Sequence, residues 1–228
     1  MFFLIRRMIK FIWPITATMK STLLVTALLL SLSSLNAQKI RLNYGLAAGM
    51  SMANLTTQQL VDLVPKPGFA AYVFVDVPVF HQFSLQNELG YYNLGAITNN
   101  EKTGVNWKNY TTSIRYLALS FLPKFTVKNT GLSFLAGYSF GYKVSSGKTG
   151  GGPINYGEAG IGSLYAPEIK RFDIFGVVGM EYYLKAGPGL SVRYMEGLTN
   201  IYDAKVGYGG LAQNHAFVFT LTYRIFSR

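Results

Sequence analysis

The stretch Ala216-Phe-Val-Phe-Thr-Leu-Thr-Tyr-Arg-Ile-Phe226 decides how the whole chain reads. One parity carries Phe217, Phe219, Leu221, Tyr223 and Ile225. The other carries Ala216, Val218, Thr220, Thr222, Arg224 and Phe226. Successive side chains of a strand point to opposite faces, so the stretch is a strand with one apolar and one mostly small or polar face. The same two-residue period recurs upstream. Expected strands cover 40–50, 68–77, 82–94, 112–126, 131–143, 169–184, 189–198 and 214–226.

The links between these strands alternate. Those at 78–81, 127–130 and 185–188 are short and rich in Pro, Gly, Asn and Lys, as tight turns are. Those at 51–67, 95–111, 144–168 and 199–213 are read as long. Strict alternation puts both chain ends at the short-turn rim. The expectation is all-β: an eight-stranded antiparallel up-and-down barrel, apolar outside and polar inside. A closed sheet leaves no unpaired strand edge, so it can cross a bilayer, and in outer-membrane barrels the short turns are periplasmic. A soluble lipocalin-like periplasmic binding barrel is the competing architecture. It would turn the apolar parity inward.

Composition agrees with a barrel. Half of the 228 residues are hydrophobic, and only 14% are charged. Beyond the leader, no apolar run approaches the ~20 residues a spanning helix needs. With no cysteine there is no disulfide framework, thiolate metal site or lipoprotein anchor. The formal net charge is +11. Arg6, Arg7, Lys10 and Lys20 lie in residues 1–37, which hold no acid; the other cations are scattered without a basic stripe. That argues against nucleic acid and for anionic groups at a membrane surface.

Residues 1–37 read as a helical signal peptide, with the true start at either Met1 or Met19. A basic n-region, Met19-Lys20, precedes the apolar run and Ala37 at the expected cleavage point. Residues 38–228 form the barrel domain, and the expected location is the outer membrane.

Five segments resemble PorT-like outer-membrane β-barrel proteins. They are Gly45-Leu-Ala-Ala-Gly-Met-Ser-Met-Ala-Asn-Leu55, Lys66-Pro-Gly-Phe-Ala-Ala-Tyr-Val-Phe-Val-Asp-Val-Pro78 and Phe83-Ser-Leu-Gln-Asn-Glu-Leu89. Tyr116-Leu-Ala-Leu-Ser-Phe-Leu-Pro-Lys-Phe125 and Arg193-Tyr-Met-Glu-Gly-Leu-Thr-Asn-Ile201 follow in the family's order. Ala118 and Ser120 stand where the family favours Glu and Pro, and Tyr72 where it favours Gly. The resemblance implies an eight-stranded outer-membrane barrel whose last strand is read by the insertion machinery. One founding member of that family is tied to type IX secretion, but fold alone does not assign a task.

The chemistry-bearing residues are few. His81 is expected in a short turn and His215 at the opposite rim, so they cannot share a metal. Gly147-Lys148-Thr149 lacks the spacing and the following helix of a phosphate loop and reads as surface loop. Glu88, Lys124, Asp173, Glu181, Arg193 and Arg224 fall on inward parities. The interior of an eight-stranded barrel is filled by side chains, so these charges are expected to satisfy one another there. Glu181 and Arg193 are expected to oppose each other across a turn centred on Gly187. Tyr44, Phe83, Tyr91, Phe121, Tyr138, Tyr182, Tyr194, Phe217 and Tyr223 are expected outward, near the lipid–water boundaries.

No catalytic, cofactor-binding or metal residue and no cofactor is assigned. The expected function is a non-enzymatic integral outer-membrane barrel with a side-chain-filled lumen, serving envelope structure, surface interaction or secretion assembly. The alternative is a barrel enzyme acting on lipid or peptide at the outer leaflet through His215. Expected partners are outer-membrane lipids, the insertion machinery, and secretion-system or surface partners. The chain is expected to be a monomer that does not bind nucleic acid.

Overall fold

A computed structural model describes residues 42–57, 62–99, 110–150, 169–202 and 211–226. The expected signal peptide, residues 1–37, lies outside the described residues. Eight strands follow in chain order: β1 (Asn43–Thr57), β2 (Asp62–Phe80), β3 (Phe83–Asn99), β4 (Tyr110–Thr126), β5 (Leu132–Thr149), β6 (Phe172–Tyr183), β7 (Pro188–Gly197) and β8 (Ala212–Phe226). Each pairs antiparallel with its chain neighbours, and β8 closes on β1.

The register fixes the shape of the cylinder. A path across the strands leaves β1 at Tyr44, crosses Val75 on β2 and continues through Glu196 on β7 and His215 on β8. It meets β1 again at Asn54, ten residues above its start. With ordinary strand spacings, that stagger over eight strands implies a tilt of about 40° and a backbone radius of about 8 Å. A tilted strand needs about 9–11 residues to cross a bilayer. Every strand is at least that long, and β2 with 19 residues and β5 with 18 run well beyond the need.

The expected faces hold. Ala216, Val218, Thr220 and Thr222 are buried inside, whereas Phe217, Phe219, Leu221 and Tyr223 are exposed outside. The outer wall also carries Leu46, Met50, Val73, Leu89, Leu117 and Val178, with Leu221 70% exposed. Leaving such side chains in water forgoes about 1.5–3 kcal/mol each. Hydrocarbon removes that cost, so this wall rules out the soluble alternative.

All nine aromatics expected outward take that parity. Tyr44, Phe83, Tyr182 and Tyr223 lie at the short-turn end. Phe83 meets Phe125 there, with ring centroids 5.1 Å apart. Phe121 and Tyr138 lie deeper in the wall, so the aromatics do not all gather at two boundaries.

Three expectations are corrected. The first outer link is residues 58–61 only, because β1 continues to Thr57 and β2 begins at Asp62. Asn54 and Thr57 find backbone partners in His215 and Ala212, which carries β1 through sequence that resembled a loop. Pro65 adjoins a β-bulge, where a missing N–H is tolerated. Second, Gly147-Lys148-Thr149 belongs to β5 rather than to a loop. Third, the β6–β7 hairpin pairs Glu181 with Ser191 and Gly179 with Arg193. Its centre is one residue earlier than expected. Gly187, at φ 107°, is the last turn residue, in a conformation that side-chain-bearing residues rarely adopt.

Candidate functional site

Among the described residues, the lumen holds the most organised chemistry. Arg193 on β7 reaches Glu88 on β3 with Nη1–Oε2 at 2.6 Å and Glu181 on β6 with Nη2–Oε1 at 2.5 Å. Its Nε donates to Ser191 at 3.0 Å, and the guanidinium lies 4.2 Å from the Tyr72 ring centre. Lys124 on β4 pairs with Asp76 on β2 at 2.6 Å and approaches Glu181 at 3.7 Å. Gln86 joins the two halves: its Oε1 accepts from Lys124 at 2.5 Å, and its Nε2 donates to Glu88 at 2.7 Å and Glu181 at 3.1 Å. Each of these ionic side chains is almost wholly withdrawn from solvent.

The network ties β2, β3, β4, β6 and β7 together across the barrel. Glu181 and Arg193 do pair, but diagonally rather than directly opposite. A two-residue offset keeps both side chains on one face, and a long guanidinium spans the diagonal. Isolated buried charges would cost several kcal/mol each, so the mutual pairing is what allows them inside.

The other inward charges divide. Asp173 lies near the outer mouth with Tyr116 and Asn214. Its Oδ1 accepts from Thr199 Oγ1 at 2.5 Å and from the Ile174 amide at 3.0 Å, and its Oδ2 accepts from Asn214 at 2.9 Å. Arg224 stacks at 3.8 Å on Tyr183 near the short-turn end. The expectation of a polar interior is only half right. Tyr72, Phe74, Tyr92, Tyr116 and Phe175 are buried in the lumen and fill the space between the charged groups.

Sequence reasoning passed over Asp76, Gln86 and Asn214. The signal for Asp76 was present: Val73, Val75 and Val77 alternate with Tyr72, Phe74 and Asp76, which puts the carboxylate inward.

The histidines lie at opposite rims. His81 occupies the β2–β3 turn at φ 47°. His215 faces outward near the start of β8, with Nδ1 3.2 Å from Thr56 Oγ1. Glu196, opposite His215 on β7, is held by the Tyr194 hydroxyl. Among the described residues no group of three or more His, Cys, Asp or Glu side chains is arranged to hold a metal ion.

A closed cylinder with an apolar outer wall and a packed, ion-paired interior defines an integral membrane β-barrel. The model of the outer membrane protein β-barrel domain family matches residues 36–203. The chain belongs to this family and is an outer-membrane protein. No curated protein matches it.

Among solved structures it is similar to neisserial surface protein A at 10% identity and TM-score 0.47, covering 79% of this chain and 96% of that one. It is also similar to Ail of Yersinia pestis at 9% identity and TM-score 0.43, covering 80% and 98%. For OprG of Pseudomonas aeruginosa the values are 9% and 0.40, covering 82% and 96%.

Proposed function

We propose that the protein is a non-enzymatic outer-membrane barrel. It serves the envelope through its wall and outer rim, in structure, surface interaction or, as the PorT-like segments suggest, assembly of a secretion machine. The observation that carries this reading is the filled lumen. Arg193, Glu88, Glu181, Lys124 and Asp76 close its inner half. Tyr116, Asp173 and Asn214 close its outer half. The Thr56–His215 contact gives the enzymatic alternative little support, because the nearby Glu196 carboxylate is engaged by Tyr194 rather than by the imidazole.

Planar-bilayer recordings of the refolded protein should show no stable large steps, since an eight-stranded interior leaves room only for side chains. Reproducible porin-like conductance would contradict the reading. In a deletion strain scored for envelope integrity and secreted cargo, His215→Ala should complement as well as wild type. Failure of that variant alone would favour the enzyme.

A further inference from the structure

Near the outer end of the barrel, neither Arg115 on the wall nor Lys66, buried on the inward parity opposite Ala53, forms an ion pair with a described carboxylate. Lys66, buried at the β2 bulge, donates to Asn93 Oδ1 on β3 at 3.0 Å. Asn93 is the cross-strand partner of Arg115 on β4, and Arg115 in turn opposes Ser145 on β5. Arg115 is exposed on the outward parity and donates from Nη1 to Ser145 Oγ at 3.0 Å. Both cations therefore rest on neutral acceptors. Among the described residues, no carboxylate forms an ion pair with either.

The rows on either side locate this polar row. Two residues toward the middle of the wall, on the same face, lies Tyr91–Leu117–Tyr142, aromatic and aliphatic. Two residues the other way lies Gly95–Ser113–Gly147, which is small throughout. A side chain at Gly147 would meet nothing within 4 Å. The arrangement is a notch formed by small residues, with an apolar sill toward the middle of the wall, the Arg115 guanidinium beside it, and room next to Gly147.

We propose that this notch binds a phosphate group of an outer-leaflet glycolipid. The lipid's acyl chain would run down the Tyr91–Leu117–Tyr142 row. Arg115 would grip the phosphate with its planar fork, because among the described residues Ser145 engages one of the five guanidinium donors. Lys66 reinforces the positive potential through Asn93. With its oxygen held by Lys66, the Asn93 amide presents its NH2 group as a further donor. Phosphate at this depth supplies the counter-charge that no described carboxylate gives Arg115, in a setting of reduced dielectric where such pairing is strong.

The test uses the refolded full-length mature barrel in phosphatidylcholine nanodiscs doped with diphosphorylated lipid A or its dephosphorylated form, with retained lipid counted by native mass spectrometry. Wild type should retain the diphosphorylated form in preference. Arg115→Gln should lower that retention about tenfold, and Arg115→Lys by less, since it keeps charge but loses the fork. Lys128→Gln, in the turn at the opposite rim, should change nothing. Heat-dependent gel migration verifies that each variant has closed, and the exposed position of Arg115 makes it the decisive one. Equal retention of the dephosphorylated lipid, or undiminished retention by Arg115→Gln, would overturn the proposal. Complete displacement by excess inorganic phosphate would reassign the notch to a soluble anion and overturn the lipid assignment.

Discussion

Arg193→Met should lower the unfolding free energy of the refolded barrel by about 3–5 kcal/mol, the usual cost of removing one partner from a buried ionic group. Among the described residues Arg193 is the only cation within ion-pair distance of Glu88, and it shares Glu181 with Lys124. Without it, two carboxylates, each under 3% exposed, face one another across the lumen with Lys124 at one side. Glu181→Gln alone should cost less, because Gln86 and Tyr183 can still hydrogen-bond the amide. In the double variant the losses should fall short of their sum, as they do for residues of one network. Urea titration in lipid vesicles, read by the gel shift of closed barrel, measures the cycle. Strictly additive losses, or less than about 1 kcal/mol for Arg193→Met, would mean that water reaches the cluster and screens it.

Gly49→Val should prevent closure. Gly49 lies on the β1–β8 seam opposite Thr220. A Cβ there would come within 2.0 Å of the Phe219 carbonyl oxygen and 2.7 Å of Thr220 Cα. Both are backbone atoms and cannot swing aside, so the two strands would have to separate. No hairpin holds this seam, which depends on its ladder and on side-chain contacts such as Thr56–His215. A loss of at least about 3 kcal/mol follows, and most of the protein should remain in the slow-migrating unfolded form. Gly147→Val, which meets open space, is the matched control and should fold as wild type. Normal closure of Gly49→Val would show that the seam is looser than its geometry.

The parity of β8 could be read directly because lipid demands an unbroken apolar face, and no tertiary detail changes which side a residue takes. The same reasoning put Glu88, Lys124, Asp173, Glu181 and Arg193 inside. Register was less legible. The run Leu184-Lys-Ala-Gly-Pro188 is a turn in any reading, but glycine can occupy several turn positions, and only backbone closure at Tyr183–Gly189 selects one. The one-residue shift of centre displaced partners by two and left every face unchanged, so the Glu181–Arg193 pair survived the error in its register. Separation of the lumen charges into an inner network and a distinct Asp173 site depends on the ten-residue stagger, which no single strand encodes. The outer ends of β1 and β2 were missed because Pro65 and Pro67 resemble turn residues, whereas neighbouring strands carry the ladder through them.

Closure of this wall, in this register and in the membrane, is tested most directly by joining its two ends. The chain has no cysteine, so Ala48→Cys with Leu221→Cys introduces one pair on the lipid-facing side of the seam. Directly opposed residues of an antiparallel pair fall within disulfide reach, with Cα atoms about 4.5–5.5 Å apart. Oxidation of intact outer membranes should give an intramolecular cross-link in nearly all molecules. The pair Ala48→Cys with Phe219→Cys, displaced by two residues, should cross-link poorly. Efficient linkage of the displaced pair, no linkage of either, or recovery of the protein in the soluble periplasmic fraction would contradict a closed eight-stranded barrel with this stagger.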